Sequence, residues 1–158
     1  MPTNLFFSTL RAIKEQGFLV VPQSDINNGI GLCDTCHTNF DLNPDPGLII
    51  VPTDLEFFVE FEKANYDYRV QQARLGIASP RRKCPSANDY QRHQATTGDI
   101  PSDGLGLYSG IILTDFLGTV ERPVLDPRPW HGEPVHMIRR AFSGLSSLNY
   151  RNIPDNPS

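Results

Sequence analysis

Apolar positions along the chain change period several times, and each change marks an expected element. Leu5, Phe6, Leu10 and Ile13 recur at helical spacing, with Asn4 placed to cap the start and Gly17 to close the end, which predicts a helix over residues 4–16. Residues 18–21 are a short β-branched run ended by Pro22, a strand signal. Asn27, Asn28 and Gly29 are turn formers that tolerate left-handed backbone. Ile30 and Leu32 then alternate as in a short strand over 29–32, and 33–41 returns to helical spacing. The expected unit is strand, turn, strand, helix, closed firmly by Pro44, Pro46 and Gly47.

Residues 48–51 are a further apolar strand candidate. Thr53-Asp54-Leu55-Glu56 has the form of a capping box opening the longest helix, with Phe57, Phe61, Ala64, Tyr68 and Leu75 as its buried stripe. From Gly76 the texture changes. Pro80 and Pro85 bracket Arg81-Arg82-Lys83, the densest positive run, which reads first as a solvated loop and second as a phosphate patch. A short helix is expected over 86–94, a polar loop over 95–104 and a strand over 108–116. Residues 122–130, with three prolines, should be extended and irregular. Val135, Ile138 and Phe142 suggest an amphipathic helix starting near Pro134, and a disordered tail is expected from 154. The fold class is therefore α+β, with a core over 1–76 and an extension over 77–158 that packs on it.

The chain has 158 residues, 39% of them hydrophobic, enough for a genuine core without an obligatory staple. Its formal net charge of −4 opposes unaided binding to nucleic acid, since phosphate contacts need clustered Lys and Arg; a nuclease of this composition needs a local basic patch or a bridging metal. Three cysteines, two in one Cys-x-x-Cys, fit reduced thiols or metal ligands better than a disulfide framework and favour an intracellular, cytoplasmic or nuclear setting. Arg11, Lys14 and Glu15 interrupt the first apolar pattern, so no secretory signal is expected, and no apolar run reaches the ~20 residues of a membrane span.

Metal-capable side chains concentrate between residues 33 and 41. On a helix His37 and Asp41, four apart, project from one face as a nitrogen and an oxygen ligand, a pair that admits Mg²⁺, Mn²⁺ or Zn²⁺. Cys33 and Cys36 followed by His37 admit several readings: a c-type haem attachment, a redox dithiol, half a zinc site completed by Cys84 and His93, or small buried hydrophobes. Export and an axial ligand are wanting for haem, and no phosphate-cradling glycine loop marks a nucleotide cofactor, so neither is expected. His93 and His136 read as surface or core-edge residues. Trp130 reads as a structural anchor, with His131 beside it a candidate to face the ligand pair.

Residues 28–41, Asn-Gly-Ile-Gly-Leu-Cys-Asp-Thr-Cys-His-Thr-Asn-Phe-Asp, resemble the signature of a group of fungal proteins with HNH, or ββα-metal, nuclease domains. The resemblance is specific over 19–62 and weaker beyond, where Trp130-His131-Gly132 also fits. It implies a ββα-metal core, metal-dependent hydrolysis of nucleic acid phosphodiesters, His37 and Asp41 as helix-borne metal ligands, and Asn28 as the brace of the loop that carries the catalytic His. The departure lies upstream: Leu19 stands where the family places its general-base His, no other His precedes His37, and the upstream Cys-x-x-Cys of many relatives is missing. A chain start inside the motif would account for this equally well. The reading implied is an impaired or inactive nuclease relative, the alternative a non-catalytic metal-binding or protein-interaction module on the same scaffold whose partner the sequence does not name.

Overall fold

The computed structural model describes residues 28–43, 45–78, 80–114 and 124–146. Within them the order is α1 (Asp34–Asp41), β1 (Leu48–Pro52), α2 (Glu56–Arg74), α3 (Ala87–Thr97), β2 (Gly106–Ile112), β3 (Arg128–Trp130) and α4 (Pro134–Leu145). The strands form one antiparallel sheet in the order β1-β2-β3, so the class is α+β. β1 comes before, and β2 and β3 after, the boundary expected near residue 76. The expected helix over 4–16, the strand over 18–21 with Leu19, and the tail from 154 lie outside the described residues.

Leu48, Ile49 and Ile50 are all buried, as expected of a strand covered on both faces, and each contributes roughly 1.5–3 kcal/mol of burial. Both edge prolines sit where they cost no ladder bond. Thr53 N–H donates to Leu107 O (3.1 Å), so Leu107 turns its backbone groups toward β1. Pro129, opposite Leu107, and Pro52, opposite Tyr108, therefore occupy non-hydrogen-bonded positions and point their ring nitrogens to the outer edges. β2 ends earlier than expected because Leu113 and Thr114 both turn their N–H groups onto Gly47 O. The expected irregular stretch before Trp130 instead pairs over its last three residues as β3.

Helix α4 begins with Pro134 in its first turn, as expected, but its buried face is Pro134, Met137, Ala141 and Gly144. The expected face is rotated: Phe142 is 72% exposed. The reason is closeness, since Gly144 lies so near Pro46 that an added Cβ would approach Pro46 Cγ to 2.6 Å. Small residues let the helix lie flat on β1; a phenylalanine there would lift it.

Helix α2 differs most from its pattern. No residue of it is buried, Ala64 and Tyr68 are exposed, and Leu75, just past its end, is 64% exposed. Its first turns meet apolar partners, where Phe57 and Phe58 pack on Tyr90 with ring centroids 5.8 and 5.1 Å apart. Further along, the loop at 82–83 covers its polar side: Arg82 Nε donates to Glu62 Oε2 (2.9 Å) and Lys83 N–H to Asn65 Oδ1 (3.3 Å). The Thr53-to-Glu56 capping box is likewise replaced. Asp54 Oδ1 accepts from Phe57 N–H (3.1 Å), while Thr53 Oγ1 accepts from Gln94 Nε2 (2.9 Å). The reciprocal box occurs instead at α3, between Ser86 and Asp89, and Gly98 at φ 87° closes that helix.

α3 is fastened to the sheet by polar side chains. Tyr90 is wholly buried, and its hydroxyl donates to Leu107 O (3.1 Å) while accepting from Asp54 N–H (3.2 Å) and Gln94 Nε2 (3.0 Å). Gln94, also buried, accepts from Leu107 N–H at 2.8 Å. Removing the hydroxyl takes the acceptor from Asp54 N–H and one bond each from Leu107 O and Gln94 Nε2, which keep their bonds to Thr53, and an unmet buried donor or acceptor costs about 1–3 kcal/mol. Tyr90→Phe should therefore lower unfolding free energy by about that amount in urea titration with an unchanged slope; a loss under about 0.5 kcal/mol would show that the hydroxyl is dispensable.

Candidate metal centre and its surroundings

Residues 29–33 have no strand pairing among the described residues, in contrast to the strand expected over 29–32. Long-range polar contacts hold the segment instead. Asn28 Oδ1 accepts from Glu133 N–H (2.9 Å), and Trp130 Nε1 donates to Gly29 O (2.9 Å). A segment so pinned needs no ladder to fix its course. Asn28 thus braces this segment against the start of α4; the loop it is expected to brace lies outside the described residues. Trp130 is buried, its ring edge-on to Tyr108 at 5.0 Å, and it folds over Gly132 so closely that any Cβ there would enter the indole. That explains the Trp-His-Gly sequence as an anchor. His131 is exposed beside it, its ring centroid 6.5 Å from that of Trp130.

Helix α1 presents the candidate ligands. His37 Nε2 and Asp41 Oδ2 lie 3.3 Å apart on side chains 63% and 51% exposed. Two donors at that separation fit one divalent ion, whose nitrogen and oxygen ligands sit at roughly 2.0–2.2 Å. Asp41's other oxygen is taken: Arg140 Nη2 donates to Oδ1 at 2.7 Å and to Phe40 O at 2.7 Å, with the guanidinium 4.1 Å from the Phe40 ring centroid. Among the described residues no three His, Cys, Asp or Glu side chains converge as a metal group.

Cys33 is the N-cap of α1, its sulfur accepting from Cys36 N–H (3.4 Å). Hydrogen bonds from the Cys36 side chain and backbone hold the Cys33 thiol below the usual cysteine range; the same side-chain contact, then burial, pushes Cys36 up. Cys33 is exposed and Cys36 half-buried, so the reading of both as buried hydrophobes holds for neither in full. Cys84 is half-buried, its thiol raised chiefly by burial.

Comparison with protein-family models, curated proteins and solved structures finds no match for the chain. Its chemistry is read from its own geometry.

That geometry contains a contact the sequence pattern missed. His93 Nε2 lies 2.6 Å from Asp54 Oδ2, and its ring stacks on Phe57 at 4.5 Å, so His93 is half-buried in a structural pair rather than directed to the cysteines. The partners are 39 residues apart, and no short-range spacing announces them. Burial pushes the Asp54 carboxyl up, but the His93 hydrogen bond and the Phe57 N–H outweigh it and leave the group below its ordinary value of 3.8. Asp89 is held low in the same way, burial being outweighed by Ser86. A depressed folded-state value means stability present above the unfolded value and lost as pH falls through the folded one. The melting temperature should therefore drop steeply below about pH 4, and the deficit of Asp54→Asn relative to wild type should shrink toward zero over that range. A deficit constant from pH 7 to the acid limb would exclude this electrostatic origin.

Proposed function

We propose that the chain is an HNH-nuclease-related protein whose ancestral reaction is metal-dependent phosphodiester hydrolysis of nucleic acid, on a ββα-metal type of core, with the general-base step impaired by Leu19. The observation that carries this reading is the convergence of His37 Nε2 and Asp41 Oδ2 to 3.3 Å on the exposed side of α1. The two residues that the family resemblance names as ligands therefore have the spacing of a chelating pair. A divalent ion held there, Mg²⁺, Mn²⁺ or Zn²⁺, would supply Lewis-acid stabilisation of charge developing on a phosphoryl group. Arg140 orients Asp41 through Oδ1 and leaves Oδ2 facing His37. A missing general base removes ~10²–10⁴ in rate, which leaves slow hydrolysis at best.

A second reading, a non-catalytic module on this scaffold, is favoured by one specific observation. Arg140 ties α1 to α4 through Asp41 and Phe40, so the carboxylate also serves as a clamp between elements 99 residues apart.

Two experiments separate the readings. Mn²⁺ titration followed by electron paramagnetic resonance should show one weak site that His37→Ala abolishes, while chelator leaves the wild type folded and the melting temperature moves by only a few degrees, on the scale of ~1 kcal/mol. Unfolding by chelator, or zinc lost with Cys33→Ser and Cys36→Ser, would assign the metal to a structural thiolate site instead. In the second, Leu19→His should raise metal-dependent plasmid nicking well above the wild-type background, roughly in proportion to a restored base, ~10²-fold or more. No gain in a folded variant would sink the impaired-base account and leave the clamp reading.

A further inference from the structure

Beside the ligand pair, α1 and α4 enclose two adjoining clefts. The first, about 200 Å³, includes Asp41; the second, about 270 Å³, runs from Asn28 along α4, and Arg140, Ser143, Phe40 and Asn43 line both. The chain has 18 acidic against 14 basic residues, yet among the described residues no carboxylate lines the second cleft, while Arg139, Arg140 and His136 all do. Arg139 is half-buried and has no hydrogen bond or ion pair among the described residues. Burial alone holds its guanidinium below the usual arginine range. A desolvated cation without a counter-charge is costly, and an arriving anion relieves that cost. Arg140 is fixed differently: it commits Nη2 to Phe40 O and Asp41 Oδ1, rests its plane on the Phe40 ring, and keeps its remaining N–H donors without partners among the described residues.

We infer that the cleft between α1 and α4 is a phosphate-binding site, with Arg139 and Arg140 as its cationic fork. The donors select the class of ligand. A carboxylate is satisfied by one fork, whereas two guanidiniums together with the Ser143 hydroxyl and the Asn43 amide suit the several oxygens of a phosphate. At about 270 Å³ the space is several times the ~30 Å³ share of a water molecule, enough for a phosphate group and the first atoms of its ester. Assigning that phosphate to a nucleic acid strand rests on the nuclease-related reading; the anion site itself does not.

The test is equilibrium dialysis of radiolabelled inorganic phosphate, thymidine monophosphate and a short single-stranded oligothymidylate against the full chain, at low salt in chelator. Wild type should retain all three. Arg139→Gln should weaken retention about tenfold or more, Arg139→Lys should fall between, and Arg81→Gln, which removes an exposed charge elsewhere, should stay within about twofold of wild type. Because Arg139 has no hydrogen-bond or ion-pair partner among the described residues, the ligand-free melting temperature of Arg139→Gln should be unchanged or higher. No retention by wild type, equal retention by Arg139→Gln, or an equal loss in Arg81→Gln would overturn the site. Tighter binding of the oligothymidylate than of the monophosphate supports a strand as the source; equal binding overturns that assignment and leaves a small phosphate ester. Chelator keeps the outcome separate from metal binding, whose own failure in the Mn²⁺ titration would count against the nuclease-related reading alone.

Discussion

One buried hydroxyl fixes the relation between the helices and the sheet. Tyr90 has no exposed surface, and its oxygen joins Leu107 O on β2, Asp54 N–H at the approach to α2 and Gln94 Nε2 on its own helix. Apolar contact alone would let α3 slide over β2, because the hydrophobic effect is non-directional. Directional bonds with fixed partners do not allow that. Gln94 adds a second lock by accepting from Leu107 N–H, so its side chain supplies the bond that a longer β1 would have supplied at the end of the β1–β2 ladder. Around this knot the rings of Phe58, Tyr90, Tyr108 and Trp130 touch in sequence and carry the packing from α2 across to β3.

The second dependence runs through Glu133. Its backbone N–H meets Asn28, its carboxylate accepts from Ala87 N–H at the start of α3, and α4 begins immediately after it. Burial raises its carboxyl above the usual range, the cost of placing an acid at this junction. In return the segment before α1, the start of α3 and the start of α4 share one fixed point. The far end of α1 is held by Arg140 on Phe40 O and Asp41. Candidate ligands on α1 and cationic groups on α4 therefore keep their separation through the tie at Asn28 before α1, the start of α4 after Glu133, and Arg140 across to the end of α1.

How legible this was in the sequence depends on the range of the interactions. Elements set by local chemistry were readable: Pro134 opening α4, the helix that carries Cys36 and His37, and the apolar run that became β1. Ser86 and Asp89 formed a capping box that the pattern did not single out, while the box read at Thr53 and Glu56 failed because Thr53 was drawn to Gln94, 41 residues away. The alternation at 29–32 suggested a strand, but a strand needs a partner; Ile30 and Leu32 instead pack on the core, and hydrogen bonds at Asn28 and Gly29 reach residues more than a hundred positions on. The stripe along α2 was real as a pattern and uninformative as burial, because whether a face is covered depends on what other elements reach it. At the candidate site, the His37–Asp41 spacing was visible as helical periodicity. Arg140 and Arg139 were not, since neither lies near the motif in sequence.

The charges around Asp41 join the two halves of the candidate site. A single carboxylate faces His37 on one oxygen and Arg140 on the other, with Arg139 on the same helix as Arg140 and no acid among the described residues lining the cleft beside it. Adding a divalent cation to that group concentrates positive charge over a short distance, and even at an effective dielectric of about 20 like charges ~4 Å apart repel by ~4 kcal/mol. On the proposed reading, metal alone would therefore be held weakly by this chain. An anion in the cleft reverses the balance, neutralising the guanidiniums on one side and the ion on the other. By linkage the effect is mutual, so whatever phosphate favours the metal is favoured by it to the same degree. On the proposed reading such a site would bind metal and phosphate cooperatively, with the Arg140 clamp between α1 and α4 keeping Asp41 and a guanidinium in contact.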